Sequence, residues 1–111
     1  MLAKKFRLPI QSFNKFKTGQ KSKSVRSDFF IVKFGLNDLD FSRFGTIIGK
    51  KVYKSAVKRN NLKRIIFNFI RMNDLHFEPG QDILLIVSPK ISQLTKAEIE
   101  EKLKALLITK T

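Results

Sequence analysis

The chain has no cysteine and no tryptophan, one histidine, one tyrosine and nine acidic residues among 111. Without cysteine there is no disulfide and no thiolate metal site, which excludes a zinc ribbon or a stapled secreted fold. The acids are scattered, and none lies inside the basic regions except at their edges. A metal-dependent nuclease needs clustered carboxylates to hold its cations, so catalysis by the protein itself is disfavoured. His76, in HFEPG, has no sequence partner for a triad or a metal site, both of which need convergent groups. GKKVYKS sets one glycine before a lysine pair and lacks the spacing of a phosphate loop. No long apolar run suits a membrane span, and MLAKKFRLPIQSF has too little apolar sequence for a signal peptide. The expected compartment is reducing and cytoplasmic.

Local absence of acid is more telling. No Asp or Glu occurs between Asp40 and Asp74, and none occurs in residues 1–27. Residues 1–27 hold eight basic residues and residues 41–73 hold nine, so these two tracts carry 17 of the 23 cations. Within them, KKVYKSAVKRNNLKR (50–64) packs seven cations into fifteen positions. A solvated helix mixes signs, because opposite charges at i,i+4 support it. One sign at this density repels itself unless a polyanion supplies the counter-charge. A formal charge of +14, with 42% hydrophobic residues and eleven Phe, describes one folded basic domain spanning residues 1–111. An anionic membrane surface fits less well than nucleic acid, since no basic amphipathic helix has a wide apolar face.

The pattern along the chain predicts the order α-β-β-α-β-α. Pro9 opens a short helix in which Ile10, Phe13, Phe16 and Lys17 share a face, and Gly19 ends it. QKSKSVRS is loop-like, with room for a short strand. DFFIVKF (28–34) reads as a strand, GLNDLD as a turn, and SRFGTIIG (42–49) as the antiparallel partner in a hairpin. The main helix runs from about Ser55 to Met72, with Leu62, Ile65, Ile66 and Phe69 inward and Asn60, Arg64, Asn68 and Arg71 opposite. Lys58 falls on the apolar side, so the first turn should project beyond the core. EPGQ (78–81) is a turn and DILLIVS (82–88) a buried strand. Thr95 and Glu98 form a capping box for a helix to about Leu107, with Ile99, Leu103, Leu106 and Leu107 inward.

For an RNA or DNA partner, Lys and Arg neutralise phosphates and set position more than sequence. Asn60 and Asn61 add neutral donors and acceptors beside the cations. Phe13 and Phe16 lie in an acid-free tract and are candidates to stack on unpaired bases, although their helical spacing equally marks core residues.

RFGTIIGKKVYKSAVKRNNLKR (43–64) resembles the bacterial ribonuclease P protein subunit, whose pattern R-x-G-x-x-[VI]-[SG]-K-K then V-G-x-A-V-x-R-N-R-x-K-R it matches at Arg43, Gly45, Gly49, Lys50, Lys51, Val52, Ala56, Val57, Arg59, Asn60, Lys63 and Arg64, with one extra residue between Lys51 and Ala56. Arg7-Leu8, Phe13 to Gly19, Val25-Arg26-Ser27, Gly80-x-Asp82-Ile83 and Gln93-Leu94-Thr95 extend the likeness over nearly the whole chain. The resemblance implies an α+β fold, a small mixed sheet packed with about three helices and containing a left-handed β-α-β crossover. It implies a protein without its own active site, bound to a catalytic RNA that uses magnesium to cleave the 5′ leader from precursor tRNA. Residue by residue it implies RNA contacts at Lys50, Lys51, Lys54, Lys58, Arg59, Asn60, Lys63 and Arg64. It also implies a leader cleft at Phe13, Phe16, Ile31, Lys33 and Ile47. The chain departs from the pattern at Asn61, where a second Arg is usual. Phe67 replaces a frequent Arg, Asn68 a frequent Glu, Tyr53 a frequent Gly, and Lys33 a frequent aromatic. A ribosomal or general RNA-chaperone protein is the rival reading, and a protein-only nuclease the third.

Overall fold

The computed structural model describes residues 2–16 and 23–108, with residues 14 and 15 in backbone only. Four strands form one sheet: β1 (Lys23–Arg26), β2 (Phe30–Leu36), β3 (Arg43–Ile47) and β4 (Gln81–Val87), in the order β1-β2-β4-β3. Two α-helices accompany it, α1 (Ala56–Met72) and α2 (Lys96–Leu107), with short 3-10 helices at Lys4–Phe6, Ile10–Phe16, Leu75–Phe77 and Pro89–Gln93. The α+β class expected from the sequence is the one observed.

The expected β2–β3 hairpin does not form. β4 lies between the two strands, antiparallel to β2 and parallel to β3. The reason lies in β4 itself. Its run Ile83-Leu84-Leu85-Ile86-Val87 is apolar on both faces, and a central position covers both. β2 instead forms a hairpin with β1, the short strand the polar stretch left room for. The parallel β3–β4 pair is joined through α1, as parallel neighbours require.

Alternation then sorts the sheet. Phe30, Val32, Phe44, Ile83, Leu85 and Val87 face the main core with Leu62, Ile66, Phe67, Phe69 and Ile70 of α1 and Ile99, Leu103 and Leu107 of α2. Full burial of each such aliphatic or aromatic side chain contributes about 1.5–3 kcal/mol. The buried stripe of α1 is wider than the sequence predicts, because it includes Phe67 and Ile70, while Ile65 is only partly buried. Ser55 caps α1, its hydroxyl accepting from the Lys58 amide at 3.3 Å. The predicted box on α2 is present: Glu98 accepts from the Thr95 amide at 2.9 Å and Thr95 from the Glu98 amide at 3.3 Å.

The opposite sheet face has a smaller core of Leu8, Phe16 and Leu84, with Phe13 and Ile86 packed against it. The predicted first helix is 3-10 rather than α over Ile10–Phe16. In 3-10 geometry residues three apart eclipse, so Ile10, Phe13 and Phe16 form one column. That column descends from solvent, with Ile10 79% exposed, through half-buried Phe13 to Phe16 at 4%. Lys17 and Gly19 lie outside the described residues.

Candidate nucleic-acid interface

Strand register places Ile31, Lys33 and Ile47 in rows on the sheet face opposite the main core. Arg26, Ile31, Ile86 and Ile47 are successive cross-strand neighbours, and so are Ser24, Lys33, Leu84 and Gly45. Gly35, Asp82 and Arg43 form the third row. Three aliphatic side chains thus make a flat strip beside a half-buried lysine. Asp82 is the one carboxylate in these rows. Arg43 neutralises it through two hydrogen bonds at 2.9 and 2.7 Å, and Asn37 donates a third at 2.7 Å. Hydrogen bonding to Asp82 raises the Arg43 pKa further above its ordinary value, against a smaller opposing effect of burial. The three rows therefore offer positive charge at Arg26 and Lys33 with Asp82 already paired, while exposed Asp28 lines the recess at the Arg26, Ile31 and Ile86 end.

Phe13 walls this face on one side, over buried Phe16. Phe16 sinks between Leu8 and Leu84, while the Phe13 ring lies over the backbone of β3 at Gly45. Ile31, Lys33 and Ile47 fall on this one face and half-buried Phe13 borders it, while Phe16 is buried in the small core beneath. Sequence reasoning missed Ile86 and Arg26. β4 is apolar throughout, so only its pairing with β2 and β3 reveals which residues face outward. Arg26 becomes visible only once β1 is known to be a strand.

Beyond Ile47, β3 leads into the basic connection. Lys50, Lys51 and Lys54 are exposed around a shallow recess that includes Val52. The first turns of α1 carry Lys58, Asn60 and Arg64 into solvent, while Arg59 and Lys63 are half buried. Arg59 turns back on the connection: its Nη1 donates to the Tyr53 and Lys54 carbonyls at 2.8 and 2.9 Å. Lys58 lies 6.0 Å from the Tyr53 ring centre and Lys63 lies 5.7 Å from that of Phe67. Phe67 is in the core, so its departure from the family pattern adds packing instead of leaving a gap on the surface. Lys63 of α1 and Phe13 of the wall meet at one groove of about 390 Å³ on the β3 edge.

Two other features stand apart. A recess of about 400 Å³ lined by Ser42, Leu75, Glu78 and Leu107 has a carboxylate and no lining cation, which does not suit a polyanion. His76 is 5% exposed, packed against the rings of Phe6 and Phe77 at centroid distances of 4.4 and 4.1 Å. Its Nδ1 has no hydrogen-bond partner. Among the described residues no group of three His, Cys, Asp or Glu is placed to hold a metal ion.

The sequence model of the ribonuclease P family matches residues 4–110. A ribonuclease P protein component from Syntrophus aciditrophicus is 38% identical over 88 residues, 79% of this chain and 73% of that protein. The solved ribonuclease P protein of Thermotoga maritima superposes with a TM-score of 0.78 at 31% identity, covering 95% of this chain and 97% of that one. That of Staphylococcus aureus gives 0.82 at 28% identity, covering 95% of each chain. A family match along nearly the entire chain, on a fold shared with solved members, agrees with the basic connection and open sheet face: the chain belongs to the ribonuclease P protein family.

Proposed function

We propose that this subunit of a ribonuclease holoenzyme works by holding RNA on two surfaces, leaving the cleavage chemistry to the RNA it binds. The basic surface is Lys50, Lys51, Lys54, Lys58, Arg59, Asn60, Lys63 and Arg64, which dock the catalytic RNA. Each phosphate neutralised releases counterions, so this docking weakens steeply with salt. The second surface is the sheet face of Ile31, Lys33, Ile47 and Ile86 with its wall of Phe13 and Phe16, which takes the 5′ leader of precursor tRNA. A flat apolar floor suits unpaired bases, whereas an A-form duplex would hide them. Lys33 and Arg26 supply charge for the phosphates of the same strand.

The observation that carries this reading is the cross-strand row Arg26–Ile31–Ile86–Ile47, an open aliphatic strip flanked by cations, with Asp82 two rows away already paired to Arg43. The described side chains bring no carboxylate cluster together, so they do not fit a magnesium site of their own. In this reading magnesium is held by the RNA. No described helix is long and apolar enough to cross a membrane. The particle is assigned to the cytoplasm, where tRNA precursors are made.

The test is cleavage of precursor tRNA by the catalytic RNA at low magnesium, with and without this protein. Stimulated cleavage at the 5′ end of the mature tRNA is expected. No stimulation overturns the reading, and cleavage by the protein alone would return catalysis to the chain.

A further inference from the structure

The recess of about 400 Å³ between the end of α2 and the segment joining α1 to β4 lies outside both RNA surfaces. Its floor is Phe44, Ile83 and Leu107, all side chains of the main core, so it opens on the helix side of the sheet. The aliphatic strip of Ile31, Ile86 and Ile47 is on the other side. The recess is also at the far end of the strands from the basic connection. Arg43 and Gln81 begin β3 and β4 here, whereas Ile47 ends β3 and leads away to Lys50. The rim is both apolar and acidic. Ile108 is 39% exposed, and Phe77, next to the lining residue Glu78, is 62% exposed. Asp74 and Glu78 are exposed beside it, and the turn that carries exposed Asp38 and Asp40 is fastened alongside. There the Asn37 amide donates to the Gly80 carbonyl at 2.9 Å and the Ser42 amide to the His76 carbonyl at 3.0 Å. Four of the nine acids thus gather at this end, and none forms an ion pair among the described residues. Two cations share the end: Arg71 in the last turn of α1, and Lys5, whose ammonium lies 5.0 and 5.1 Å from the ring centres of Phe6 and Phe41. Acid remains in excess on a chain whose formal charge is +14.

We propose that this recess docks a basic segment of a second protein, seating one apolar side chain over Phe44, Ile83 and Leu107 with flanking Lys or Arg facing Glu78 and its neighbouring acids. An exposed apolar patch with a polar rim marks a protein-binding surface. Complementary charge then chooses among partners, since like charges brought together are strongly unfavourable. RNA does not fit, because a carboxylate and no cation line the recess. An uncharged peptide does not fit either, because it leaves the acidic rim without counter-charge. A second copy of this chain has one long acid-free basic segment to offer beside its N-terminal tract, residues 50–64. That segment docks the catalytic RNA in the two-surface reading, which is the one point where the inference rests on it. On the same reading RNA covers the basic connection and the sheet face. The acidic end is left facing outward, where a basic protein is held without displacing RNA.

The first arm of the test uses the full chain without RNA and three short peptide probes of equal length. One has a central Phe flanked by Arg, one replaces each Arg by Glu, and one replaces the Phe by Ser. Binding is read from amide NMR shifts at Leu75, Glu78 and Ile108, because an acidic probe also meets the basic tracts elsewhere. The basic Phe probe should shift these amides at physiological salt, and each control should bind there about tenfold more weakly. Glu78→Lys should weaken the basic probe by about tenfold and leave precursor tRNA cleavage unchanged. Its carbonyl, and not its carboxylate, accepts from the buried Ser42 hydroxyl, so the variant keeps that bond. Equal binding of basic and acidic probes at the recess, or no shift there with the basic probe, overturns the inference. The second arm uses the reconstituted holoenzyme with precursor tRNA, in which photoreactive benzoylphenylalanine replaces exposed Phe77. No RNA crosslink is expected. A crosslink to either RNA makes this end an RNA surface, and one to a second copy makes it a self-association surface; both overturn the inference. The peptide arm contains no RNA, and stimulation of cleavage by unmodified protein tests the two-surface reading alone, so the two failures are distinguishable.

Discussion

The ring of Phe13 lies so close over Gly45 that a methyl group on that glycine would come within 2.7 Å of Phe13 Cε1 and 2.9 Å of its Cζ. The same methyl would meet Leu8 Cβ at 3.2 Å. Glycine at this position lets an aromatic side chain cover the β3 backbone, and that contact shapes the wall of the sheet face. The atoms in conflict are the far end of a side chain, so the ring can swing away without unfolding the strand.

Gly45→Ala is therefore expected to destabilise the protein modestly, by about 1 kcal/mol, the low end of overpacking. Its larger effect should be on recognition. A displaced Phe13 no longer lines the cleft, and the preference for leader-bearing over mature tRNA should fall several-fold. Denaturant unfolding and paired affinity measurements separate the two. A folded variant with its preference intact would show that the ring is not part of the leader wall.

The features legible in the sequence are those set by neighbours along the chain. The capping box at Thr95 and Glu98, the strand at DILLIVS and the helix from Ser55 to Met72 all follow from local chemistry, and the structure contains each. The hairpin was misplaced because GLNDLD is a competent turn, and nothing near it shows that β4, arriving some forty residues later, takes the place between β2 and β3. The same non-local pairing, which sets Ile86 between Ile31 and Ile47, is invisible in the sequence. A helical wheel sees only α1 and gives Phe67 no inward role, whereas in the fold Phe67 is buried in the core shared with the sheet and α2. The basic tract was readable because missing acids are a property of the sequence itself. That Arg59 bends back onto carbonyls five and six residues before it depends on the path of the connection, which no spacing rule records.

The cap of α2 has a pH signature. Glu98 is held below the ordinary value of 4.5 first by the hydrogen bond from the Thr95 amide, then by the Thr95 side chain and, more weakly, by the charge of Lys102. A carboxyl whose folded value lies below its unfolded one stabilises the fold fully above the unfolded value, and that contribution is lost as pH falls through the folded value. Glu98→Gln should therefore melt below wild type at neutral pH, and the gap should close as pH falls below the ordinary carboxylate value and through the lowered folded one. Thermal melts of both proteins across that range check the sign. A gap that stays constant into acid would mean the carboxylate charge contributes nothing to the cap.

Arg59 and Arg64 make a matched pair for separating architecture from RNA contact. Arg64 is exposed, so Arg64→Ala should leave stability within about 0.5 kcal/mol of wild type. Its effect should be confined to RNA binding, lowering the salt slope by about 0.7–0.9. Arg59 holds the carbonyls of Tyr53 and Lys54 while half buried, so Arg59→Ala should cost about 1 kcal/mol of stability as well. It also releases the connection that presents Lys50, Lys51 and Lys54, and its affinity loss should exceed that of Arg64→Ala at low salt. Arg59→Lys keeps the charge but replaces a planar fork with a single ammonium on a flexible stem, so it should restore the salt slope more fully than the stability. Urea unfolding and salt-dependent titrations on the four proteins make the comparison. If Arg59→Ala and Arg64→Ala prove indistinguishable in both measurements, Arg59 is an RNA contact alone and its carbonyl bonds carry no weight in the folded protein.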